Sequence, residues 1–82
     1  HACAVGQAAA ALFADAASGC DPAAILTAGE AMERWIVGEG AMPAWPGLAT
    51  IEPARAFPGR HGAMLLPWRA AVEALSKPGR TR

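Results

Sequence analysis

Three segments of this chain repeat their apolar residues every three to four positions, and no stretch of useful length alternates with a period of two. A 3.6-residue period lines one face of a helix and a two-residue period one face of a strand, so the chain is predicted to be mainly α. Residues 4–18 are rich in alanine, the strongest helix former. Val5, Ala8, Leu12 and Ala16 fall on one face of that segment, with Ala9 and Phe13 beside them. Ser18-Gly19 ends it, glycine being suited to the left-handed position past a helix C-terminus. Asp21-Pro22 then offers an N-cap followed by a proline whose missing N–H costs nothing at the first helical position.

The second helix is expected to run from there to about Val37, with a stripe of Ile25, Gly29, Met32 and Ile36 widened by Leu26 and Trp35. Gly29 costs such a helix about 1 kcal/mol against alanine, which suggests a close approach of a neighbouring helix. Gly38 and Gly40 stop it. Pro43, Pro46, Pro53, Pro58, Gly47 and Gly59 make residues 38–60 an irregular connection with one turn at 47–51. Trp45, Leu48, Ile51 and Phe57 give it anchors that flexible Gly/Ser linkers lack, so it reads as an ordered strap packed on the helices. A third helix is expected from residues 62–64 to about Ser76, with Leu65, Trp68, Val72 and Leu75 as its apolar row and Pro67 close to its start. Residues 1–76 thus form a single helical domain or fragment, and residues 77–82 a disordered basic tail with Arg80 and Arg82.

Eighty-two residues with a formal net charge of zero limit what the chain can do. A domain of this size buries only about 60% of its unfolded surface, so a second copy of the chain is the obvious extra partner, and a homo-oligomer is expected. The neutral balance gives no electrostatic reason for a nucleic-acid or anionic-membrane partner. No apolar run reaches the roughly 20 residues of a membrane span, and no signal peptide is visible. Heavy use of alanine, a single lysine and the absence of asparagine and tyrosine suggest a GC-rich bacterial genome. A first residue of His1 rather than methionine suggests a fragment or a processed product.

Cys3 is the residue with most chemistry in its favour. It opens the first helical segment, where unpaired backbone N–H groups and the positive end of the helix dipole favour thiolate, the form that binds metal or attacks sulfur. Most free cysteines are instead small buried hydrophobes, and that alternative stands beside it. His1 could share a metal with Cys3. Cys20 lies in a turn between a capping glycine and a capping aspartate, more than 20 Å along the helix from Cys3, so no internal disulfide is expected and two free thiols fit a reducing cytoplasm. His61, beside Arg60, could ligate a metal, bind an anion or simply cap the third helix. Glu30, Glu33, Glu39, Glu52 and Glu73 show no spacing with histidine that would make a hydrolytic centre, and Glu30 and Arg34 read as a solvated i,i+4 pair. The three tryptophans are candidates for the core or an interface. With no phosphate loop, Ser-His-Asp set or CxxC, the chain is not expected to be an enzyme.

Two segments resemble the NifU/IscU/SufU family of iron–sulfur cluster assembly scaffolds. Ala2-Cys3-Ala4-Val5-Gly6-Gln7-Ala8-Ala9-Ala10, closing at Ala17-Ser18-Gly19, is similar to the family's Gly-Cys-Ala-Ile-Ser-x-Ala-Ser segment. Phe57-Pro58-Gly59-Arg60-His61-Gly62-Ala63-Met64-Leu65-Leu66-Pro67-Trp68 is similar to the Phe-Pro-x-Arg-x-Lys-Cys-Ala-x-Leu-x-Trp approach to the last helix. The resemblance implies the C-terminal half of an α+β SufE/NifU-like domain, a role in cluster assembly or in sulfur and metal handling, and a cysteine desulfurase and cluster-acceptor proteins as partners. It implies an iron–sulfur cluster or zinc as cofactor, held by three cysteines and an aspartate. Cys3 matches the second family cysteine. The third falls on Ala63 when aligned through Phe57-Pro58 and Trp68, or on Gly62 in the register His61 favours, and neither can ligate. The first cysteine and the aspartate correspond to positions upstream of His1. A scaffold with these losses is divergent, and the alternative is a cluster-free helical protein–protein interaction module derived from the same fold.

Overall fold

The computed structural model describes residues 4–77. Its three α-helices are α1 (Ala4–Ala17), α2 (Pro22–Ile36) and α3 (His61–Ser76), and no strand occurs among the described residues. α3 packs against both other helices and carries Met64, Leu65 and Trp68 into the core between them. Of the expected architecture, the described residues show the helical part alone. No helix of the described residues is long and apolar enough to cross a membrane.

α1 stops through Gly19 N–H to Ala16 O (3.2 Å) and Cys20 N–H to Ala17 O (3.0 Å), tightened bonds that leave Gly19 outside the left-handed region expected for it. α2 starts as its sequence requires, with the Asp21 carboxylate accepting from Ala24 N–H at 2.9 Å and Pro22 in the first turn. A cap of this kind is worth about 1 kcal/mol. α2 ends in a Schellman turn: Gly38, at φ +81°, donates to Trp35 O, and Glu39 donates to Arg34 O at 2.8 Å. Gly29 does mark a close approach, since a methyl group there would come within 2.6 Å of Val72 Cγ2 on α3.

The strap is more regular than its prolines suggest. It folds into three short 3-10 turns, Leu48–Thr50, Glu52–Ala56 and Pro58–Arg60, the last running straight into α3. That continuity starts α3 at His61 and places Pro67 in the helix interior rather than in its first turn. A proline there withholds an N–H from the Ala63 carbonyl and costs about 3 kcal/mol, which burial of Met64, Leu65 and Trp68 around it must outweigh. Trp45, Leu48, Ile51 and Ala54 of the strap enter the core, but Phe57 does not; it is 55% exposed, with the Arg60 guanidinium 5.1 Å above its ring. Leu75, the last residue of the expected α3 row, is 43% exposed.

Three aromatic rings hold α1, the strap and α3 together. Phe13 stacks on Trp45 at 5.5 Å, and both meet Trp68 edge-on at 5.5 and 5.3 Å. Trp45 Nε1–H also donates to Leu12 O at 2.7 Å. The Trp68 indole N–H is buried with no hydrogen-bond partner among the described residues. The tryptophans are therefore core residues: Trp35, Trp45 and Trp68 are 2%, 8% and 1% exposed, and none is free to form an interface.

Candidate functional site

Cys3 and His1 lie outside the described residues, and so do Arg80 and Arg82. The described structure fixes what surrounds the start of α1. Its first turn contains no acidic residue, so no carboxylate there offsets the partial positive charge of the unpaired N–H groups. Beside that turn runs a groove floored by Val5, Ala8, Ile51 and Ala54, with Phe57 and Arg60 also lining it. Among the described residues, Arg60 is the only charged one on its walls. The described walls of the groove are therefore apolar with one cation.

The two stretches that carry the resemblance come together here. Gly6, one turn into α1, faces Ala63, one turn into α3, and a methyl group on Gly6 would meet Ala63 Cβ at 3.6 Å. Position 62 points elsewhere: Gly62 is exposed, and a side chain there would meet nothing within 4 Å. Of the two positions on which the resemblance places a third cysteine, 63 is the one turned toward α1.

One nitrogen of His61 is bonded within the fold. Its Nε2 lies 2.8 Å from Arg55 O, and because a carbonyl only accepts, Nε2 carries the hydrogen. Only Nδ1 keeps a lone pair. Arg55 is the residue sequence reasoning missed. Its guanidinium sits 5.0 Å over the Trp35 ring, its Nη1 lies 3.9 Å from Glu52 Oε2, and its carbonyl receives His61, so it pins the strap to α2 and to the start of α3. Its only sequence signal was the i,i+3 spacing from Glu52 within a turn that had been read as irregular.

The acidic residues form no centre. Glu30 and Arg34, expected as a pair, make no ion pair; instead Glu33, one position from Arg34, reaches across to α3 and accepts two bonds from Arg69, Nε at 2.7 Å and Nη2 at 2.9 Å. These bonds hold the Glu33 carboxyl below its ordinary pKa and raise that of Arg69. Helical periodicity favoured the partner within α2, but the close α2–α3 approach at Gly29 brings Arg69 into bidentate geometry. Glu73 pairs with Lys77 at 3.6 Å. Cys20 is the half-buried turn residue expected of it, its thiol donating to Ala16 O at 3.4 Å.

No three His, Cys, Asp or Glu side chains among the described residues are grouped so as to hold a metal ion. Ala63 cannot ligate and His61 could offer only Nδ1, so the described residues do not by themselves make up a four-ligand iron–sulfur or zinc site. Comparison with known protein families, curated proteins and solved structures gave no match.

Proposed function

We propose that this chain is a divergent, non-catalytic sulfur-handling module of the NifU/IscU/SufU type, in which Cys3 receives sulfur and passes it on. The observation that carries the proposal is the junction of Gly6 with Ala63. It sets the start of α1, directly after Cys3, against the first turn of α3, the two stretches in which the sequence resembles that family. The surroundings suit the chemistry. A helix start without acidic residues, with the Arg60 cation on the groove beside it, favours a thiolate over a thiol and offsets the apolar lining, which acts the other way. The Cys3 thiolate would attack the outer sulfur of a persulfide on a cysteine desulfurase, forming a persulfide on Cys3 and releasing the donor cysteine as thiolate. Cluster-acceptor proteins are the expected recipients, a reducing cytoplasm the expected setting, and a homo-oligomer the expected state. A resident cluster or zinc is not assigned to residues 4–77.

Incubation with a cysteine desulfurase and free cysteine, followed by mass spectrometry of the peptides, tests this role. One added sulfur on the Cys3 peptide, lost in Cys3→Ala, is the expected result. Sulfur found only on Cys20, or on neither, overturns it.

One observation favours a second role, a cluster-free interaction module: position 63, the one turned toward α1, is an alanine and cannot ligate. Capture of a desulfurase that persists unchanged in Cys3→Ala, with no sulfur transferred, would select that role over the first.

A further inference from the structure

We draw no further inference here: the strongest candidate, the groove between α2 and α3 floored by Leu26, Gly29, Trp68 and Val72, carries nothing because no feature of the structure shows what covers it, two of its three carboxylates, Glu33 and Glu73, being already matched by Arg69 and Lys77.

Discussion

α1 meets its neighbours in two unlike ways along its length. Near its start the contact is small against small, Gly6 on Ala63. Toward its end, Phe13 and the Leu12 carbonyl hold Trp45 and Trp68, the heaviest packing in the molecule. A large aromatic side chain buries some 150–250 Å² and gains a further 0.5–1.5 kcal/mol from each well-oriented ring pair, whereas an alanine methyl against a glycine contributes little of either. Stability is thus concentrated at one end of α1, and the other end is left thin. The thin end is the one that follows Cys3 in the sequence, the residue to which sulfur transfer is proposed.

The contrast predicts a graded series of mutational effects. Trp68→Ala removes the ring that both Phe13 and Trp45 touch and should cost about 3–5 kcal/mol, enough to unfold a domain of this size. Loss of the cooperative urea transition followed by circular dichroism is the expected outcome; a native-like midpoint would mean that the aromatic end does not hold the fold. Gly47→Ala attacks the same end through the backbone. Gly47 sits at φ +82°, and a methyl there would come within 2.6 Å of Leu12 Cδ2. Destabilisation by about 1–3 kcal/mol should appear as a lower urea midpoint at unchanged slope.

The thin end should respond in the opposite sense. Gly6→Ala enters ordinary van der Waals space and gains helix propensity, so a rise of up to about 1 kcal/mol in unfolding free energy is expected. A fall would show that Gly6 is needed for closeness, as Gly29 is. Ala63→Cys should change stability by less than about 1.5 kcal/mol, the range of swaps that nearly conserve volume, while adding a thiol at the ligand position facing α1. Zinc retained by this variant but not by wild type, and lost again in Cys3→Ala/Ala63→Cys, would sharpen the assignment of position 63; equal zinc content in all three would count against it.

The smallest effect belongs to a contact outside both ends. The folded-state pKa of Glu33 lies below its unfolded value, so the stabilisation from Arg69 is complete above the unfolded pKa and disappears as pH falls through the folded one. Both groups are about half exposed, which limits the contribution to about 0.2–1 kcal/mol. Wild type and Glu33→Gln should therefore differ in melting temperature at neutral pH and converge in acid. A gap that widens on acidification would contradict the assignment.

The helices were legible because their signals are local: apolar spacing, alanine content, and the Asp21-Pro22 start. Gly29 was legible too, since a glycine inside a helix costs about 1 kcal/mol against alanine and so points to a close neighbour. The strap was misjudged in its regularity, because proline forbids long helices but suits the first residues of short 3-10 turns, as Pro53 and Pro58 show. Phe57 looked like an anchor because hydrophobicity gives no direction; Arg60 over its ring keeps it outside. The partner of Glu33 lies 36 residues away, beyond any local rule. Of the candidate site, the convergence of α1 and α3 was implied only by resemblance, and the commitment of His61 to Arg55 O had no sequence signal at all.

Among the described residues, no polar side chain is buried in the core. An interior of this kind has almost no directional bonds to penalise one helix sliding by a turn along another. Shape must enforce alignment instead, and the notches at Gly29, filled by Val72, and at Gly47, filled by Leu12, are the places where only one setting fits. Filling both notches at once should yield a chain that keeps its helicity yet loses a unique arrangement of its helices.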